Sequence, residues 1–91
     1  MEVKVKILNR LGLHARPASL IAQAAGRFAV DISLTPDGGQ PADAKSILSL
    51  LMLGAPCGTE LTLKVEGGDE TLKADAIQTI SELFASKFDE D

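Results

Sequence analysis

Gly12-Leu13-His14-Ala15-Arg16-Pro17-Ala18-Ser19 holds the only histidine of the chain, sets a guanidinium two residues after it, and leads into a helix through a proline. Proline suits a helix's first turn, where its missing N–H would lack an intrahelical acceptor, and it biases the preceding Arg16 away from helical angles. The helix is therefore expected to begin at about Ala15 to Pro17. Its unpaired first-turn N–H groups and the positive end of its dipole then lie beside the His14 imidazole, ready to hold an anion attached to that ring. A neutral imidazole is a nucleophile able to accept a phosphoryl group, and the planar fork of Arg16 can pair with phosphoryl oxygens. A lone histidine at a helix end is more often a plain surface residue, so the surrounding chain has to add weight to the pair.

On the N-terminal side, Val3, Val5 and Ile7 alternate with Glu2, Lys4, Lys6 and Leu8, the period-two pattern of a strand with one buried face over about residues 2–8. On the C-terminal side, Ala18, Leu20, Ile21, Ala22, Ala24, Ala25 and Phe28 suit a helix over Ala15–Phe28, with Gly26 weakening its last turn. Val30, Ile32 and Leu34 alternate again, and Thr35-Pro36-Asp37-Gly38-Gly39 supplies turn chemistry before a short strand near Gln40–Asp43, which Pro41 confines to a sheet edge. Ser46 is placed to cap a short helix over Ile47–Leu53 closed by Gly54, although Ser49 stands where a full capping box carries Glu or Gln. Leu61, Leu63 and Val65 form the inward face of a fourth strand, Gly67-Gly68-Asp69 turns, and a final amphipathic helix follows. Its stripe is Leu72, Ala76, Ile80, Leu83 and Phe84, widened by Ile77 and Phe88. The order strand, helix, two strands, helix, strand, helix favours an antiparallel or mixed sheet with helices stacked on one side, with a ferredoxin-like split unit as the competitor.

With 91 residues and 45% hydrophobic content the chain can build one core but scarcely two, so residues 1–91 are read as one domain. No apolar run reaches membrane-spanning length, and Met1-Glu2-Val3-Lys4 begins a strand pattern rather than a signal peptide, which points to the cytoplasm. Cys57 is the single cysteine, so no internal disulfide can form; with one histidine there is no convincing metal-ligand set, and no cofactor is expected. A net charge of -4 and the absence of Trp and Tyr argue against nucleic acid and leave proteins as the expected partners. Ile47, Leu48, Leu50, Leu51, Met52 and Leu53 are too many apolar residues for two helical turns with one buried stripe. Leu50 and Leu53 suit the core, which leaves Ile47, Leu48 and one or both of Leu51 and Met52 as an exposed patch of the kind that marks partner surfaces.

The eight-residue stretch around His14 closely resembles the active-site signature of the HPr family, the histidine phosphocarriers of the bacterial phosphoenolpyruvate-dependent phosphotransferase system. Lys45-Ser46-Ile47-Leu48-Ser49-Leu50 and Leu53-Gly54 look like the family's second phosphorylation region and its helix, and the resemblance covers essentially all 91 residues. It implies an α+β fold, an open-faced β-sandwich in which a four-stranded antiparallel sheet is covered on one face by three helices (β-α-β-β-α-β-α). It implies a monomeric carrier rather than an enzyme, accepting a phosphoryl group on His14 from phospho-Enzyme I and passing it to enzyme IIA components. Arg16, with the helix start at Ala15 and Pro17, would stabilise that group. Ala15, Arg16, Ser19, Ile47, Leu48 and Leu51 would form the docking surface, and Ser46 would be the regulatory site of HPr kinase/phosphorylase in bacteria that possess it. A cap needs no regulator, and N-capping alone accounts for a serine at position 46.

The surroundings depart from the family pattern. The hairpin from Pro36 to Pro41 looks slightly long, and basic residues common on the first helix are replaced by Gln23 and Gly26, leaving Arg27 nearly alone to steer an acidic donor. Sugar-transport and nitrogen-linked regulatory branches share the signature. A kinase lacks its parts here, with no Gly-rich nucleotide loop and no Mg²⁺-binding carboxylate cluster. A regulatory module that binds through the second-helix patch and uses phosphorylation as a switch is the main alternative. A small enzyme with His14 as covalent nucleophile comes third, for want of an acid–base partner.

Overall fold

The alternation around residue 63 sets the centre of the molecule. A computed structural model describes residues 1–90 and places β4 (Glu60–Glu66) between β1 (Glu2–Lys6) and β2 (Asp31–Pro36), both antiparallel to it, with β3 (Ala42–Asp43) at the far edge beside β2. Val5 pairs with Leu61, Ile32 with Val65 and Leu34 with Leu63, so the inward positions of three strands fall in register on one buried face. That face is covered by α1 (Ala15–Ala25), α2 (Ile47–Met52) and α3 (Glu70–Ala85), giving the open-faced α+β sandwich.

β1 stops at Lys6 rather than near residue 8, but the inward alternation continues. The Ile7 N–H donates to Thr59 O at 2.9 Å, Gly58 N donates to Ile7 O at 2.7 Å, and the buried series runs Val5, Ile7, Asn9. Val3 shares that phase yet lies at the rim, 37% exposed. The first helix ends at Ala25, short of Phe28. Arg27 N and Phe28 N bond back three residues, to Ala24 O and Ala25 O, so the last turn tightens, and Phe28 packs against the core from the loop. β3 keeps only the two residues after Pro41, which has no N–H to give a ladder.

Both later helices have side-chain caps. Ser46 Oγ accepts from Ser49 N at 3.1 Å at the head of α2, and Asp69 Oδ1 accepts from Leu72 N at 2.8 Å at the head of α3. Gly54, at φ +59, follows α2 in the left-handed conformation that stops it. In α2 only Leu50 is fully enclosed; Leu53 packs at the core margin, while Leu48 and Met52 are 69% and 78% exposed, and Ile47 and Leu51 are also exposed.

Phe88 is buried, but not as part of the α3 stripe. The chain leaves α3 through Lys87, Phe88 and Asp89 at φ of 56°, 55° and 58°, three consecutive left-handed non-glycine residues. Such a conformation costs roughly 1–2 kcal/mol per residue. The offset is the Phe88 ring, which sits edge-on to Phe84 with centroids 5.0 Å apart at 64° and has no exposed surface.

Leu50→Ala is expected to cost about 2–5 kcal/mol of unfolding free energy, the range for truncating an enclosed leucine, and Leu48→Ala to stay within about 0.5 kcal/mol. Urea unfolding of both variants checks how α2 divides its apolar residues.

Candidate functional site

The loop that leads into α1 is fixed by its own backbone. Gly12 N donates to Asn9 O at 3.1 Å, and Leu13 N donates to Ala55 O at 2.9 Å. Gly12 is at φ +75, and a Cβ there would lie 2.7 Å from Ala55 O and 3.0 Å from Pro56 Cα, so the signature's first residue has to be glycine. The crossing delivers His14 as the N-cap of α1, in extended conformation, with its carbonyl accepting from Ala18 N at 3.1 Å.

The His14 side chain makes no capping bond and is 37% exposed. Its Nε2 lies 2.8 Å from Glu90 Oε1, a contact across 76 residues of sequence. An ionised carboxylate only accepts, so the proton is assigned to Nε2, and in the neutral ring Nδ1 keeps the lone pair. The same Oε1 accepts from Asn9 Nδ2 at 2.8 Å, and Asn9 Nδ2 also donates to Gly12 O at 2.7 Å. Arg16 NH1 donates to Phe88 O at 2.9 Å and lies 3.4 Å from Glu90 Oε2. Asn9, His14 and Arg16 thus converge on one carboxylate whose side chain is only 16% exposed. The hydrogen bond from His14 holds the Glu90 carboxyl below its ordinary value of 4.5. Burial pulls the other way, while Asn9, the positive charge of the His14 ring when it is protonated, and Arg16 add to the lowering.

The first turn of α1 contributes the N–H groups of Ala15 and Arg16, both residues exposed. Pro17 has no N–H and is fully buried, so it sets the helix start and donates nothing. Ser19 is half-buried, its Oγ accepting from Gln23 Nε2 at 3.3 Å. Ile47, Leu48 and Leu51 lie on α2, which packs beside α1. Ser46 is engaged as the α2 cap, and the neighbouring Lys45 Nζ donates to Phe28 O at 2.8 Å. Cys57 is an exposed loop residue.

Two residues of the site escape sequence reading. Asn9 has a signal, because it continues the inward alternation of Val5 and Ile7 as a polar residue and is fully buried, with Oδ1 left without a hydrogen-bond partner. Glu90 has none, since nothing in Phe88-Asp89-Glu90 points 76 residues back to His14.

Fold and site together define a class: small open-faced α+β proteins that present one histidine at a helix N-terminus beside an arginine. A family model described as "PTS HPr component phosphorylation site" matches residues 1–86. Phosphocarrier protein HPr of Treponema pallidum (strain Nichols) is 48% identical over 87 residues, covering 96% of this chain and 94% of its own. Phosphocarrier protein NPr of Proteus mirabilis (strain HI4320) is 39% identical over 88 residues, 97% of this chain and 94% of its own. The crystal structure of HPr-C-His from Thermoanaerobacter tengcongensis superposes with a TM-score of 0.89 at 38% identity, covering 100% of this chain and 98% of that one. The chain belongs to the HPr family of the phosphotransferase system, whose members are phosphocarriers rather than catalytic enzymes.

The lowered Glu90 value gives a signed pH dependence. A carboxyl that binds its proton less readily folded than unfolded contributes stability that is complete above about the ordinary value of 4.5 and is lost as pH falls through the lowered value. Glu90→Gln is therefore expected to be less stable than the parent above that range, with the gap closing in stronger acid. Urea midpoints measured across the acid range decide it, and a gap that stays constant throughout contradicts the assignment.

Proposed function

We propose that His14 is the phosphoryl-accepting residue of this carrier, loaded by phospho-Enzyme I and unloaded by enzyme IIA components. The observation that supports it most directly is the imidazole itself, exposed at the α1 N-terminus with Nε2 engaged by Glu90 and Nδ1 left as the nucleophilic atom. In the transfer the Nδ1 lone pair forms a bond to phosphorus while the donor's bond to phosphorus breaks, its electron pair leaving with the donor. The positive charge then on the ring is shared with the proton on Nε2. The first-turn amides of Ala15 and Arg16 and the Arg16 guanidinium face the phosphoryl oxygens, and the reverse sequence hands the group to the acceptor. Arg16 performs this by reorienting, since its NH1 is bonded to Phe88 O in the unloaded chain.

Docking falls to Ala15, Arg16 and Ser19 on α1 and to Ile47, Leu48 and Leu51 on α2. Exposed apolar side chains clustered on a two-turn helix suit a partner surface. Leu11, exposed in the loop that leads to His14, joins that set. The carrier acts as a one-domain cytoplasmic monomer, and the same chemistry serves sugar-transport and nitrogen-linked branches.

A second reading concerns Ser46, which stands at the head of the exposed helix. Phosphate there adds about two negative charges beside the apolar patch, which opposes an acidic partner and raises the desolvation cost of docking. HPr kinase/phosphorylase is the modifying enzyme in this reading.

The deciding experiment incubates the protein with phosphoenolpyruvate, Mg²⁺ and a bacterial Enzyme I, with His14→Ala alongside, and follows adduct mass and acid lability. One acid-labile phosphoryl group on the parent and none on His14→Ala is expected, with Arg16→Ala slowed about tenfold or more. A stable adduct that no enzyme IIA removes would favour a regulatory switch over a carrier. Ser46→Asp is expected to keep the His14 chemistry while weakening Enzyme I docking about tenfold, readable as a raised KM.

A further inference from the structure

The hairpin from Pro36 to Pro41 takes no part in the His14 chemistry, yet it stands beside the helix that carries the exposed apolar patch. Between hairpin and helix runs a groove of about 390 Å³. Pro36, Gln40 and Pro41 form the hairpin wall, and Ser49, Met52 and Leu53 form the wall on the α2 side, with the buried Ala42 of β3 between them. We propose that this groove is a specificity pocket that receives one uncharged apolar side chain, leucine- to phenylalanine-sized, from Enzyme I as it docks on α2. The inference rests on the reading of α2 as the docking surface and of Enzyme I as the donor.

The lining sets the chemistry of the occupant. In a chain with 24% charged residues, no charged side chain lines the groove. Asp37, at the hairpin tip, is engaged by Lys4 Nζ at 3.3 Å, and Asp43 Oδ1 accepts from Lys45 N at 2.9 Å. An ion placed in the groove would lose hydration and meet no opposite charge. An apolar side chain would meet two proline rings, a thioether and Leu53, while the Gln40 amide offers a hydrogen bond to the backbone that delivers it. Gln40, Pro41 and Met52 are exposed, so the groove is entered from the surface that a docking protein covers.

The hairpin wall is preformed. Gly39 N donates to Pro36 O at 3.0 Å, and a Cβ on Gly39 would lie 2.6 Å from Pro36 Cγ, so the proline ring is seated directly on glycine backbone. Both prolines have φ fixed by their rings, which leaves less backbone freedom to lose when the groove is filled. Continuity with the docking patch comes through Met52. It follows Leu48 by one helical turn, the two are the most exposed large apolar side chains at 78% and 69%, and Met52 belongs to both patch and groove. A protein laid on Ile47, Leu48 and Leu51 reaches the groove over Met52, whose unbranched side chain can repack around an inserted group. Because the hairpin lies outside the stretch around His14, it can discriminate between donors without altering the chemistry at the ring.

Docking and chemistry are separated by loading each protein in two ways, with the cognate Enzyme I and with phosphoramidate. The variants are Pro36→Ala combined with Pro41→Ala, which removes the hairpin wall, and Ser49→Phe, which fills the groove from α2; Gln78→Ala, on the exposed side of α3, is the control. Each groove variant is expected to raise the KM for loading by Enzyme I about fivefold or more, with kcat and the phosphoramidate rate within about twofold of the parent's, and Gln78→Ala to match the parent throughout. In parallel, unloaded Enzyme I is titrated into the isotope-labelled parent, and the Gln40 side-chain amide and the Ala42 methyl are expected to shift together with the Met52 methyl in NMR spectra. A parental KM in either groove variant, or Gln40 and Ala42 signals indifferent to Enzyme I while those of Leu48 and Leu51 respond, overturns the inference and leaves docking on α2 standing. A parent that Enzyme I neither binds nor loads overturns both. The titration uses the parent alone, so it decides the matter where a groove variant fails to fold.

Discussion

The structure depends first on a backbone contact with no side chain in it. Where the loop after β1 crosses the segment after α2, Gly12 approaches Ala55 so closely that a Cβ would lie 2.7 Å from the Ala55 carbonyl oxygen, and the next residue, Leu13, donates to that same oxygen. This crossing fixes where the chain stands when it reaches His14, and Pro17 three residues later commits it to the helix. His14 is thus oriented by the main chain on both sides, and its ring is left to face Glu90 and solvent. A side chain held at a helix N-terminus by backbone geometry can keep its own hydrogen-bonding groups for chemistry, which a capping side chain cannot.

Local rules were enough to read the fold wherever a pattern had one physical cause. Leu61, Leu63 and Val65 alternate because β4 has one buried face, and all three are fully enclosed. The apolar surplus of Ile47–Leu53 resolved as its count implied, with Leu50 inside, Leu53 at the margin and four residues outward. The misses arose where two causes overlapped. Phe28 and Phe88 both look like the end of a helical stripe, since burial of a large ring drives both, but each sits in a turn beyond its helix, one tightened and one left-handed. Periodicity records that a residue is buried more faithfully than it records the backbone that buries it.

The candidate site was legible in its covalent part and opaque in its tertiary part. His14 and Arg16 announce themselves through spacing and the proline that follows, while Glu90 reaches them only because α3 runs the length of the sheet and the Phe88 ring then turns the chain back. No local propensity encodes such a contact. Asn9 lies between the two cases: the strand phase predicts an inward side chain, and a polar residue at an inward position signals a buried polar network. Its amide group satisfies Gly12 O and Glu90 at once, and the orphaned Oδ1 is the cost of that double use.

An acidic chain with net charge -4 has placed a carboxylate in what is physically an anion site, and that is the arrangement to expect when the site spends part of its time empty. A helix N-terminus, an arginine and an imidazole N–H exposed together would attract any anion of the right size from solution. An internal carboxylate tethered by Phe88 has a high effective concentration and so competes with such anions for the His14 N–H and Arg16. The requirement on a carrier is that its cargo be held without being trapped.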